Sequence, residues 1–429
     1  VLNEPNNPVQ LIRYEYDDAN DLVKIYDGLD KATVIKYQHH LMTERTDRNG
    51  DVFYWKYDSD LATAKCIQTW GKDNLLRGRL VYEEGRTLAY DAYNNCTELI
   101  HENGLVVKEI NALGFAKEYL YNDAMELICE TDELGRQTMH AYDLTGNRIA
   151  TTLPDGGTIA IQYNDLALPT MIKDAADGTA IYQYDDNGKL TIAIEANSSA
   201  TQYKYRKDGL VDSIITPKGD VLSLVYDQHY NLTKILHPNG SIIEWLYNYA
   251  GKCVRVAYPN NTNDQYEYDK MGRLKTIVTA DGNYLQLAYN GYDDVVMVKD
   301  KLSKVEIEYN ALGNIKKRRQ AGHELAFFYN NNNQLTSVKN EAGKDYRFTY
   351  NSVGKIVEEI GFDGIKREYL RNEANEVTTM IRPGGELTAY QYDAMGRAIE
   401  ITYHDGSKEE FEYDRAGNIT KAINEHAEV

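Results

Sequence analysis

Hydrophobic and polar positions keep a fixed beat from Tyr121 to Tyr413. A tyrosine recurs at Tyr121, Tyr142, Tyr163, Tyr184, Tyr205, Tyr226, Tyr247, Tyr268 and Tyr289, each 21 residues after the last. Two steps of 20 reach Tyr309 and Tyr329, and steps of 21 resume at Tyr350, Arg371, Tyr392 and Tyr413. Two places earlier the chain carries an aromatic in many units (Tyr182, Trp245, Phe348, Phe411), and the residue between is often polar (Gln183, Lys204, Glu267). Period-two alternation of this kind predicts a strand with one packed face and one wet face. An aliphatic residue returns six places after the tyrosine in eleven of the fifteen units, among them Leu127, Leu190, Leu274 and Ile419, and opens the returning strand.

Turn chemistry fills the gap. The residue after the tyrosine is Asp or Asn in fourteen units, Arg206 being the exception. Four places after it stands glycine in nine (Gly146, Gly188, Gly209, Gly251, Gly272, Gly313, Gly354, Gly396, Gly417) and asparagine in two (Asn333, Asn375). Asp or Asn opens a tight turn by bonding its own backbone, and Gly or Asn closes it where φ must be positive. A second turn ends each unit, as in Pro154-Asp155-Gly156-Gly157, Pro238-Asn239-Gly240 and Asp405-Gly406. One unit is strand, turn, strand, turn, with no convincing helical stretch. The fold class predicted is all-β: a repeat array of antiparallel hairpins, period about 21, forming one long curling sheet, a spiral hollow shell.

The period overrides the two or three domains that 429 residues would otherwise suggest. We expect a leader over 1–12, less regular repeats with a longer loop near Trp70–Gly78 over 13–120, and a regular array over 121–429. That array stops in mid-repeat, so the full protein is expected to continue past Val429. Tyrosine, at 36 copies, suits half-buried strands because a large apolar ring ends in a hydroxyl. The formal charge of −19 argues against nucleic acid and makes the surface acidic. No apolar run is long enough to span a membrane, and Val1–Gln10 has no signal-peptide pattern. Cys66, Cys96, Cys129 and Cys253 lack metal spacing, and Cys253 sits where other units place the aliphatic.

The run Tyr-Asp-x-x-Gly-x-Leu, as in Tyr184–Leu190 and Tyr268–Leu274, resembles the YD-repeat or Rhs (rearrangement hotspot) family, and Tyr392-Asp393-Ala394-Met395-Gly396-Arg397 is especially typical. The resemblance covers nearly the whole chain and is weaker at residues 58–115. It implies the shell region of a bacterial polymorphic toxin. Its partners would be its own C-terminal toxin domain, outside this chain, and delivery components. Such proteins are secreted or delivered by specialised systems, including type VI secretion effectors of interbacterial competition and insecticidal toxin complexes. The family's Asp-Pro self-cleavage motif is absent. Teneurins carry a related shell, so the alternative is a cell-surface adhesion or ligand-binding array using the irregular segment 58–115.

The residues offer little chemistry. Aromatic rows across strands are ordinarily packing. The Asp/Asn positions open turns rather than follow a calcium-binding nonapeptide. The histidines have no metal spacing. Lys316-Lys317-Arg318-Arg319 reads as a solvated strand end. Glu358-Glu359 and Glu409-Glu410 point to opposite faces and cannot share a catalytic water. No catalytic, cofactor-binding or metal-binding residue is assigned, no cofactor is expected, and the chain is read as non-enzymatic. The residues singled out are the structural tyrosines and glycines of the repeat.

Overall fold

The computed structural model describes the backbone of residues 2–4 and 7–428. The described residues form 42 strands and two short 3-10 turns, Lys72–Asn74 and Pro383–Gly385, with no α-helix. The all-β hairpin array is therefore the observed architecture. The leader expected over 1–12 lies partly outside the described residues, as does Val429. Within it, Leu2–Glu4 pairs with Asn7–Val9 in a small hairpin.

Strand limits fall on the repeat landmarks. Strands end on the recurring tyrosine, as in Gln137–Tyr142 and Asn263–Tyr268, and return at the sixth place, as in Leu127–Thr131 and Leu274–Val278. At the exception, Lys366–Arg371 ends on the arginine. The residues divide into two compact units. Unit one holds Val1–Val81, Tyr90–Asn94 and Val221–Asp345; unit two holds Tyr82–Ala89, Asn95–Asp220 and Tyr346–Val429. Inside each, strands pair antiparallel with their chain neighbours.

Two ladders alternate. Within a hairpin the pairing runs Met139↔Thr152, His140↔Thr151, Ala141↔Ala150 and Tyr142↔Arg148, with a bulge between Ala141 and Tyr142. Between hairpins only Cys129↔Met139, Glu130↔Thr138 and Thr131↔Gln137 pair, so that ladder stops short of the tyrosine. Strands carrying the tyrosine alternate exposed and half-buried positions, as the sequence pattern requires. Among described apolar residues only Ile35, Ala175, Ala193 and Val256 are buried. The chain exposes 25916 Å², whereas a compact protein of its mass would expose roughly 17,000 Å². Most residues thus have cover on one face only.

The turn is built as the residues dictate. The Asp143 backbone N–H donates to the Asn147 carbonyl (3.0 Å) and its carbonyl accepts from Gly146 N–H (3.2 Å). Its side-chain Oδ1 accepts from the N–H groups of Thr145 (2.8 Å) and Asn147 (3.0 Å). A type I turn followed by a left-handed residue matches the twist of the flanking strands. The fourth place has positive φ in all fifteen units, including Met125 (62°), Ala167 (56°), Tyr230 (65°) and Asp293 (70°), where glycine is missing.

Left-handed backbone costs a non-glycine residue about 1–2 kcal/mol, partly offset by the extra freedom glycine has when unfolded. Ala167→Gly should therefore stabilise the chain by about 0.5–1 kcal/mol. A urea melt followed by circular dichroism would show a higher midpoint. A lower midpoint would mean that the turn does not impose this conformation.

Candidate functional site: the tyrosine row and the hairpin tips

Where the ladder between hairpins stops, the sixth-place carbonyl loses its backbone partner, and the next tyrosine supplies one. The hydroxyl of Tyr142 donates to the Leu127 carbonyl (3.0 Å), Tyr205 to Leu190 (2.7 Å), Tyr268 to Cys253 (2.7 Å) and Tyr289 to Leu274 (2.6 Å). Tyr121, Tyr163, Tyr184, Tyr247, Tyr309, Tyr329, Tyr392 and Tyr413 make the same bond to the equivalent carbonyls at 2.7–3.2 Å. Tyr226 and Tyr350 end their strands at the same place. At the one unit without tyrosine, Arg371 reaches the Ile356 carbonyl with Nε (3.0 Å) and Nη2 (2.8 Å). The position requires a donor at that reach, and a phenol or a guanidinium meets the requirement.

The glycines at the fourth place (Gly146, Gly188, Gly209, Gly251, Gly272, Gly313, Gly354, Gly396 and Gly417) all have positive φ. Fifth-place arginines explain the typical run that ends in Gly-Arg. Arg273 bonds Asp269 in its own turn (2.7 Å) and reaches the next repeat at Asp293 (2.7 Å) and at the Asn290 carbonyl (3.3 Å). Its guanidinium also lies 4.6 Å from the Tyr289 ring centre. Arg397 repeats the arrangement with Asp393 (2.6 Å), the Asp414 carbonyl (3.0 Å) and the Tyr413 ring (4.9 Å). Burial works against the Asp269 and Asp393 carboxylates, but these arginines outweigh it and hold both below the usual range.

The tips of the two turn types meet. In unit one, Asn332 Nδ2 donates to Asp91 (2.5 Å), Ala92 N–H donates to Asn332 (3.0 Å), Tyr292 hydroxyl donates to Asp51 (3.4 Å), and Arg48 pairs with Asp293 (3.6 Å). A Cβ at Gly28 would lie 2.7 Å from Met271 Sδ. In unit two, Arg136 joins Asp132 of its own turn (2.6 Å) to Glu376 (2.7 Å), and Arg397 approaches Asp155 (3.5 Å). Each contact places a tip that follows a tyrosine position on a second-type tip about 240 residues earlier.

Third-place residues record this cover. In unit one Ala250, Met271, Tyr292, Leu312 and Asn332 are half-buried, whereas His229 is exposed. In unit two Val353, Ala374 and Met395 are half-buried, whereas Ala124, Thr145, Leu166, Asn187 and Asp208 are exposed. Sequence reasoning missed this row. Its signal was the change from largely polar to largely apolar third places, beginning at Ala250 and Met271.

Other candidates are spent on local pairing. Lys366 holds Glu358 (2.7 Å), while Glu359 accepts from Tyr369 (2.8 Å) and Arg367 (3.2 Å) on the opposite face. Burial, followed by the bond to Glu359, pushes Tyr369 up to about 12. Arg319 of the basic cluster is matched by Glu308 (2.7 Å) and Glu324 (2.5 Å). The four cysteines form no disulfide and are half-buried, and burial pushes the Cys253 thiol up. Among the described residues no group of three His, Cys, Asp or Glu could hold a metal ion. Nor is any helix among them long and apolar enough to cross a membrane. The loop around 72–77 is not free-standing: Leu76 N–H donates to the Asn331 carbonyl (2.8 Å).

Burial raises the phenols of Tyr184, Tyr205, Tyr247, Tyr268, Tyr289, Tyr309, Tyr329 and Tyr392 above the ordinary tyrosine range. A raised folded-state pKa gives stability that is complete below the unfolded value, about 10, and is lost as pH rises through the folded one. Phenolate absorbance should therefore appear cooperatively above pH ~10, together with loss of the β spectrum. Gradual ionisation centred near pH ~10 with the spectrum intact would contradict this.

Two family comparisons match the chain, Teneurin YD-shell over residues 194–290 and RHS Repeat over 371–408. A crystal structure of TcdB2-TccC3 superposes with a TM-score of 0.53 at 13% identity, covering 96% of this chain and 30% of that one. A crystal structure of TcdB2-TccC3-TEV gives 0.52 at 12% identity, covering 96% and 28%. At such identities the likeness concerns the fold, and the chain spans less than a third of those proteins. The tyrosine beat, turn grammar and hairpin ladders carry the repeat of these two matches, Teneurin YD-shell and RHS Repeat, beyond the residues matched.

Proposed function

We propose that this chain is a wall segment of a YD-repeat toxin shell, isolating a C-terminal toxin domain of the same polypeptide until delivery, and that it is itself non-catalytic. The observation that carries the reading is the use made of its polar groups. Tyrosine hydroxyls, turn carboxylates and fifth-place arginines serve hairpin-to-hairpin joining and tip-to-tip contact, as a wall requires. An array stabilised by nearest neighbours extends without needing a second layer. The resemblance in fold to the TcdB2-TccC3 structures supports a toxin context. On this reading the protein is exported by a specialised bacterial secretion system, as a toxin complex or as a type VI effector acting between bacteria. The rival, an adhesive array that presents the loop near Trp70–Gly78, is weaker, because the backbone of that loop is tied to Asn331.

Limited proteolysis of the full-length protein is the direct test. A C-terminal fragment should co-purify with the array and resist protease until the array is denatured. Digestion of that fragment at the rate of free polypeptide, with the array intact, would sink the proposal.

A further inference from the structure

Two glycines of unit one stand where their own turns do not need them. Gly28 and Gly291 are each the second residue of a turn, a place filled elsewhere by Arg48, Glu133, Leu144 or Lys270. Neither has the positive φ that calls for glycine. What excludes a side chain is the facing tip. A Cβ at Gly28 would lie 2.7 Å from Met271 Sδ and 2.9 Å from the Gln10 carbonyl oxygen. One at Gly291, which is buried, would collide with Asn49 Oδ1. Met271 and Asn49 are third residues of turns on opposite sides of the seam, so the fit is reciprocal. Met271 of a later tip enters the hollow at Gly28, and Asn49 of an earlier turn enters the hollow at Gly291. The two pairs lie one repeat apart and span nearly the same interval, 243 and 242 residues.

We propose that these two side-chain-and-hollow pairs set the register of the tip seam in unit one, and so decide which turns meet. Polar contacts across the seam cannot make that choice alone, because Asp or Asn opens nearly every turn after a tyrosine and offers similar bonds at any repeat. Steric fit discriminates where polar contacts do not. A slip of one repeat would set Met271 against Arg48 and Asn49 against Lys270, with no hollow for either. Bonds such as Arg48–Asp293 and Asn332–Asp91 then strengthen the register already chosen. The inference concerns the chain's contact with itself, so it stands or falls separately from the shell reading.

Hydrogen exchange tests this at amides that cross the seam further along. Leu76 N–H donates to the Asn331 carbonyl (2.8 Å), Ala92 N–H to Asn332 Oδ1 (3.0 Å) and Asn331 N–H to the Tyr93 hydroxyl (3.3 Å). In Gly291→Ala, exchange at all three should be at least about tenfold faster, although Asn331 lies two repeats beyond the substitution. Adding Asn49→Ala removes the atom in the way and should restore the parent rates, with Met271 and Gly28 holding the register. Amides of the Val295–Lys299 strand should keep their rates in both variants. Unchanged exchange in Gly291→Ala, a change confined to the 290–294 turn, or failure of Asn49→Ala to rescue it overturns the proposal.

Discussion

A sheet covered on one face only has no opposing layer to hide its backbone, so every carbonyl at which a ladder opens must find a partner inside the sheet itself. That constraint explains the tyrosine. It stands where the three-pair ladder between hairpins has ended, and its hydroxyl reaches the carbonyl left over. The ring meanwhile covers the half-buried face, so one side chain performs both tasks. Arg371 shows which task is indispensable: the ring is gone, but the donated bond to Ile356 remains and is doubled.

The two rows of turns are chemically similar and structurally distinct. Both open with a carboxylate, amide or backbone acceptor and close at positive φ. In the row that follows the tyrosines, the fifth-place arginines Arg273 and Arg397 clasp the next repeat. Contacts such as Asn332 with Asp91 span 241 residues, which at 21 per repeat is about eleven and a half repeats. The half repeat is why these long-range contacts bring a tip of one type against a tip of the other. The receiving side offers Gly28, the Asp51 and Asp91 carboxylates and the Arg48 and Arg136 guanidiniums, and the entering side offers Met271, Tyr292, Asn332, Asp293 and Glu376.

The fold was legible because a hairpin is a local object. Strand limits, turn residues and the sixth-place return follow from contacts within some twenty residues, and they fall where the pattern puts them, from Leu127 to Ile419. The tyrosine positions were legible as well, but not their bond, since a half-buried ring in a strand gives no hint that its hydroxyl crosses to a neighbouring hairpin. The tip contacts were hidden for another reason. Arg136 and Glu376 lie 240 residues apart, and neither breaks the local turn grammar, so each reads as an ordinary surface charge. What remained visible was the third place turning apolar, a signal that has meaning only once the tips are known to be covered.

The central claim is that the tyrosine hydroxyl, more than the ring, joins each hairpin to the last. Hydrogen exchange on a Tyr268→Phe variant isolates that bond, because the ring stays and only the donor to the Cys253 carbonyl is lost. Loss of about 1 kcal/mol should speed exchange several-fold in the two hairpins that meet there, Trp245–Cys253 and Tyr266–Leu274, with distant repeats unchanged. Exchange indistinguishable from the parent chain in those hairpins would contradict the account.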